Sequence, residues 1–464
     1  MRRPVTALTV TTIETPSLGD RSYLVHDGAC GVVIDPQRDL DRVIEAIEDA
    51  GVRLTHVFET HVHNDYVSGG LALARRTGAV YVTSGDDDAR FERHGVRDGD
   101  EVVSNSMRIR AVHTPGHTHT HLSYVVSDDG GAPVAVFTGG SLLFGTVGRT
   151  DLLGADEADE LTRAQYRSAR RLVDDLPGEV EVYPTHGFGS FCASSGGGDR
   201  TSGTISDERV ENLVVTIDDE DEFVDRLLAG LSDHPAYYAH MSPLNLAGPF
   251  EARLDPPGPV DVDELRARLD AGEWIVDLRT RTAYAADHLS GSIGIELDDP
   301  FSTYVGWLIP WGSRLTLLGA TAADVAEAQL QLVRIGIDQL GGAGIGDLDD
   351  VVDDLPRRSY PVSDFSGLAR ELSRRPSEVS VMDVRRHDEW NNGHIDGAYN
   401  VALHELLTHL HHVPGGELWV HCASGYRASI AASLLDRAGY SVVLIDADFD
   451  TASEAGLDIV DSGR

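Results

Sequence analysis

The chain has 464 residues, and at roughly 150 residues per domain it should hold about three domains. Its net charge is −38, and every basic residue is an arginine, as a GC-rich genome or salt adaptation produces. Such a charge opposes nucleic acid and anionic membranes as partners. No apolar run approaches the ~20 residues that span a bilayer. The first ten residues lack the sustained apolar core of a signal peptide. Three cysteines (Cys30, Cys192 and Cys422) cannot build a disulfide framework, so a cytoplasmic, reducing setting is expected.

In chain order, strands are predicted at Tyr23–Val25 and Gly31–Ile34, a helix over Leu40–Ala50 and a strand over Leu54–Phe58. Strands follow at Val80–Thr83, Arg108–Val112, Leu122–Val126 and Val134–Thr138. A helix over Ala164–Asp174 and a strand over Val180–Tyr183 come next. The glycine run Gly196–Gly198 predicts a surface loop. Leu246–Pro259 carries four prolines and reads as a linker.

Beyond the linker the sequence repeats itself. A helix (Val262–Ala271), a strand ending in Asp277-Leu278-Arg279 and the segment His288–Ile293 form the first copy. A helix (Asp364–Ser373), a strand ending in Asp383-Val384-Arg385 and the segment His394–Ala398 form the second. The second copy continues through a strand (Glu417–His421) into Cys422-Ala423-Ser424-Gly425-Tyr426-Arg427 and a helix (Ala428–Ala438). A cysteine between a strand end and a helix start faces unpaired backbone N–H groups, which stabilise a thiolate and bind anions. Gly425 lets the loop bend back, and Arg427 adds a permanent positive charge. The first copy lacks this feature: its strand Arg314–Leu318 runs into Gly319-Ala320-Thr321, without a cysteine.

The strand Leu54–Phe58 leads into Thr60-His61-Val62-His63-Asn64-Asp65. Two imidazoles at i and i+2 in extended chain point the same way, with a carboxylate two residues on, as a metal site requires. Further histidines follow strands at Thr114-Pro115-Gly116-His117-Thr118 and Tyr183-Pro184-Thr185-His186-Gly187.

Both α/β copies resemble rhodanese (sulfurtransferase) domains. In the second, the resemblance implies that Cys422 carries sulfur as a persulfide while Arg427 and the loop Ala423, Ser424, Gly425 and Tyr426 bind donor or acceptor. Phosphatases of the related type place five residues between Cys and Arg; the four here favour sulfur. The first copy is expected to be catalytically silent. The histidine motifs, with Gly148-Arg149-Thr150-Asp151, resemble the metallo-β-lactamase fold and, within it, persulfide dioxygenases fused to rhodanese units.

The expected fold class is thus α/β multidomain. An αββα metallo-β-lactamase sandwich (1–245) and a linker (246–259) precede two α/β rhodanese-like domains with parallel sheets, 260–350 without a catalytic Cys and 360–464 with Cys422. The resemblance implies one metal ion per chain, Fe(II) foremost and Zn as the alternative, on two histidines and an aspartate. His61 and His117 match the histidines. The aspartate position is Gly140, so the set is incomplete there. His61, His63 and His117 are the expected ligands, with Asp65 and His186 as substitutes, and if the lost carboxylate at 140 is the defect, Gly140→Asp is expected to raise iron content and O₂ uptake. The implied function is rhodanese-type sulfur transfer coupled to oxidation of a thiol persulfide to sulfite. The partners are small molecules (persulfide, sulfite or thiosulfate), and the family also allows a homo-oligomer. A metal-dependent thioester or ester hydrolase bearing a rhodanese module, and a non-catalytic sulfur-binding scaffold, are the alternatives.

Overall fold

The structure is a computed structural model that describes residues 8–187, 189–194 and 200–461; the predicted Gly196–Gly198 loop lies outside them. The chain divides into two units, residues 1–253 with 333–336, and residues 254–332 with 337–464.

In the first unit, β1 (Thr9–Thr15), β2 (Asp20–His26), β3 (Cys30–Ile34), β4 (Arg53–Phe58), β5 (Val80–Ser84) and β6 (His94–Val96) form one sheet in sequence order. A second sheet has the order β11-β10-β9-β8-β7, from β7 (Glu101–Ser104), β8 (Met107–His113), β9 (Leu122–Ser127), β10 (Pro133–Gly139) and β11 (Glu181–Pro184). Alternation sends one face of each strand inward, and Tyr23, Ile34, Phe58, Ile109, Tyr124 and Phe137 fill the layer between the sheets. Helix α1 (Leu40–Ala50) repeats apolar residues at helical spacing, buries Leu40, Val43 and Ile47, and ends at Gly51 with φ +63°. With α2 (Gly70–Thr77) it covers the first sheet. The longer α3 (Ala158–Asp175) covers the second. The result is the αββα sandwich expected from the sequence. The acidic first turn of α3 (Asp159, Glu160) suits a helix N-terminus but dilutes the apolar period, so the predicted helix starts six residues late.

The described helices also show that the segment read as a linker begins as structure: a helix spans Tyr238–Ala247, and only the following residues to Gly258 lack regular structure. Among the described residues, no helix is long and apolar enough to cross a membrane.

The second unit contains two parallel sheets of one design. In the first, Ile293–Gly294, Trp274–Asp277, Leu315–Gly319 and Leu340–Ile345 lie side by side. In the second the corresponding order is Tyr399–Asn400, Val379–Asp383, Glu417–His421 and Ser441–Ile445, with Val362–Ser363 as a fifth strand. Pro259 bridges Ala343 in the first sheet much as Val362 and Ser363 pair with Leu444 and Ile445 in the second. The Asp-x-Arg motifs match as well. Arg279 pairs with Asp277 (2.6 Å) and donates to the Asp287 carbonyl (2.8 Å); Arg385 pairs with Asp383 (2.6 Å) and donates to the Gly393 carbonyl (2.8 Å).

Candidate metal centre and cysteine loop

The loops after β3, β4, β8, β10 and β11 emerge at one edge of the sandwich, where strand ends commonly place functional side chains. They bring the Nε2 side of three buried imidazoles together: His61, His117 and His186 offer atoms all within 4.8 Å of one another, and His61 Nε2 lies 3.3 Å from His186 Nε2. Each ring is held from behind through Nδ1. His61 donates to Thr60 Oγ1 (2.8 Å), whose own hydroxyl proton goes to Asp35 (2.7 Å). His117 donates to the Arg149 carbonyl (2.7 Å) and His186 to Asp20 (2.8 Å). Such partners fix the tautomer that presents Nε2 to a metal. His117 Nε2 is buried with no hydrogen-bond partner, an atom that needs a ligand. The donor set therefore fits a metal ion.

Three features depart from the expected ligand set. First, His186 and not His63 joins His61 and His117. The chain bends through Thr60–Asp65 instead of staying extended, which turns His63 Nε2 toward Glu59 (3.0 Å), Asp35 (3.4 Å) and the Tyr66 hydroxyl (3.0 Å). Burial opposes charge on His63, but these carboxylates prevail and push it up to about 9. Its Nδ1 has no hydrogen-bond partner, and His63 also belongs to a second group with Asp65 and His186. Second, Asp65 sits 3.2 Å from His186 Nδ1, behind the three-nitrogen group. Third, a Cβ at Gly140 would overlap the His117 ring, so the space of the missing carboxylate is filled by an imidazole.

The electrostatics follow from burial. It holds His117 down to about 3 and His61 well below its ordinary value, both reinforced by neighbouring imidazoles. At His186 burial also disfavours charge, yet Asp65 and Asp20 overcome it and push the ring up to about 10. In the metal-free protein His186 is thus the cation of the cluster.

Several supporting residues had no clear local signal. Asp20 starts a strand far from any histidine motif. Gln165 of α3 accepts from the His117 N–H (2.8 Å) and donates to the Gly140 carbonyl (3.1 Å), clamping two loops. Asn245 donates to the carbonyls of His63 and Tyr66, both at 2.9 Å. His121 accepts from the Gly140 N–H (3.1 Å); the alternation His117-x-His119-x-His121 was a readable sign of it.

In the second unit, Cys422 follows the strand Glu417–His421 and precedes the helix Tyr426–Arg437. It is buried, and the Gly425 N–H points at its Sγ from 3.2 Å. Gly425 has φ +92°, and a Cβ there would collide with Asp446, so only glycine closes this loop. Ala423 is held through its carbonyl by the Phe449 N–H (2.8 Å), while Ser424 is exposed. The Tyr426 hydroxyl donates to the Glu296 carbonyl of the first α/β half (2.7 Å). Arg427 departs from its expected role: both terminal nitrogens are taken by Glu389, at 2.6 and 2.7 Å. In the first half, the strand Leu315–Gly319 reaches its helix at Ala322 after only Ala320 and Thr321, so no loop of this kind exists.

A family model described as the metallo-beta-lactamase superfamily matches residues 20–186, and one described as a rhodanese-like domain matches 368–454. The human protein named persulfide dioxygenase ETHE1, mitochondrial, is 30% identical over 207 residues, covering 44% of this chain and 74% of that protein. The chain belongs to the metallo-beta-lactamase superfamily. A hydroxyacylglutathione hydrolase of Methylococcus capsulatus is 33% identical over 181 residues, 38% of this chain and 66% of that one. The solved structure of a metallo-beta-lactamase from Staphylococcus aureus subsp. aureus COL aligns with a TM-score of 0.66 at 26% identity, covering 74% of this chain and all of that one. This superfamily member thus carries its histidine cluster and a rhodanese-like domain in one polypeptide.

Proposed function

We propose that the chain is a sulfur-transfer enzyme in which Cys422 accepts a sulfane sulfur as a persulfide, and that its metallo-beta-lactamase unit acts on thiol persulfides. The observation that carries the transfer half is the Cys422 Sγ facing the Gly425 N–H at a helix N-terminus. The Cys422 thiolate attacks the outer sulfur of R–S–SH, the donor S–S bond breaks, a new S–S bond forms on Cys422, and R–S⁻ leaves as a thiolate. An acceptor such as cyanide or sulfite then removes that sulfur. No oxidant is consumed.

In this reading residues 260–350 and 360–464 are two rhodanese-like domains, the first without a nucleophile, after a metal domain ending near 245. His61, His117 and His186 hold one metal ion per chain, with Fe(II) favoured by the persulfide dioxygenase relatives. When bound, the metal supplies an open coordination position for a sulfur or oxygen ligand. The chain's own residues do the rest: Thr60, Asp20 and the Arg149 carbonyl orient the three rings. The overall reaction on this side is R–S–SH + O₂ + H₂O → R–SH + HSO₃⁻ + H⁺, with O₂ as the oxidant and water supplying the third oxygen of sulfite. Asp65, 3.2 Å from His186 Nδ1, is grouped with His63 and His186 behind the three rings.

A specific observation favours a second reading of the metal domain alone. The three-nitrogen set suits Zn²⁺ and hydrolysis of a thioester, the class named by the hydroxyacylglutathione hydrolase relative. Metal analysis with O₂ uptake decides. Iron with persulfide-dependent O₂ uptake supports oxidation. Zinc with thioester cleavage and no O₂ uptake overturns it.

A further inference from the structure

The Cys422 loop differs electrostatically from a pocket made for a small anion. Arg427, its one cation, is capped by Glu389 in a two-pronged ion pair, and both side chains are largely buried. Arg386 close by faces Asp388 (3.1 Å) and Glu389 (3.7 Å). On this side two guanidinium groups and two carboxylates cancel, and on the Gly425 side Asp446 is paired with Arg281 (2.7 Å), which also faces Glu296 (2.9 Å), so no guanidinium near the loop lacks a carboxylate among these groups. A site selecting inorganic thiosulfate, a dianion, would leave an arginine fork open for its oxygens.

What surrounds the loop instead is aromatic, and part of it comes from the half without a nucleophile. On the helix Phe301–Leu308, Tyr304 lies 5.8 Å (ring centroids) from Tyr426 and within electrostatic range of both Cys422 and Arg427. Trp307, one turn on, is stacked with Tyr304 (6.2 Å) and with His404 (4.8 Å). A ladder of flat rings beside a neutralised arginine favours the body of an organic molecule over a bare dianion.

We propose that Glu389 is a specificity-determining residue: by capping Arg427 it disfavours thiosulfate, and with the Tyr304–Trp307 wall it selects organic persulfides, R–S–SH, as sulfur donors to Cys422. This rests on the sulfur-transfer reading above. The donor's terminal sulfur passes to Cys422 and its organic part leaves as a thiolate along the aromatic wall.

The test compares kcat/KM of the full chain for thiosulfate and for glutathione persulfide, each with cyanide as acceptor and thiocyanate as readout. In the wild type the persulfide is expected to be the better donor. Glu389→Gln should raise the thiosulfate-to-persulfide ratio by about tenfold or more, the scale of removing one nearby charge from a partly screened site. Trp307→Ala should move the ratio the same way by a different route, through a lower persulfide value. An active wild type that prefers thiosulfate, or a ratio unmoved by Glu389→Gln, overturns the assignment of Glu389 while leaving sulfur transfer standing. A wild type that transfers sulfur from neither donor overturns the transfer reading itself.

Discussion

The two α/β halves of residues 254–461 make a controlled comparison. They share strand order, parallel register and the Asp-x-Arg clamp that ties each central strand to the loop beyond its helix. They differ where the third strand passes into its helix: four residues, Cys422–Gly425, in one half, and two, Ala320 and Thr321, in the other. Two residues of loop length separate a turn whose Gly425 N–H faces the Cys422 Sγ from a plain crossover. In the proposed function the shared scaffold supplies position and the Cys422 loop supplies the chemistry. The half without the loop still contributes Arg281, paired to Asp446 at 2.7 Å, and Asp446 is the side chain packed against Gly425.

The largest effect is expected from Cys422→Ser, which should reduce thiocyanate formation by on the order of a thousandfold or more while leaving the thermal unfolding midpoint nearly unchanged. Transfer that survives the change would remove Cys422 as nucleophile.

The next largest effects come from the clamps. Arg385→Ala strands the buried Asp383 carboxylate and should cost about 3–5 kcal/mol in a denaturant titration. Arg279→Ala leaves Asp277 in the same plight and should cost a similar or somewhat smaller amount, because Arg279 is more exposed (19% against 7%). Only the first should also lower sulfur transfer in protein that remains folded. Equal losses of activity would mean that the clamp serves stability alone.

Gly140→Asp tests the metal cluster. Because a Cβ at 140 meets the His117 ring, whose Nδ1 is anchored to the Arg149 carbonyl, the substitution should cost about 1–3 kcal/mol and lower metal content instead of raising it. A rise in bound iron would show that the ring yields and that the carboxylate was the missing ligand.

The smallest effect is a pH slope. The metal-free His186 holds its proton up to about 10, and a metal must displace that proton to reach Nε2. Metal affinity should therefore fall as pH drops, by about tenfold per unit between pH 9 and 6, measured by competition with a chelator corrected for its own protonation. A slope of zero would exclude His186 as a ligand.

Much of the architecture was legible because it rests on local pattern. The helix Leu40–Ala50 and the strand Glu417–His421 were found at their bounds, since apolar spacing and glycine punctuation specify both. The repeated Asp-x-Arg motifs and the CASGYR loop were legible for a similar reason: each functions within a short stretch of chain. Sequence alone likewise determined that carboxylate chemistry at position 140 is absent.

Tertiary structure decided which groups face each other. His63 looked equivalent to His61, but a bend after β4 and the buried Asp35 and Glu59 turned its Nε2 away, while His186 arrived from a strand more than 100 residues later to complete the cluster. Arg427 looked free until Glu389, 38 positions earlier, capped it. A sequence sets which residues are acids, bases and nucleophiles, and the local backbone that carries them. Charge balance and ligand geometry depend on distances across the fold, and only the packed chain sets those.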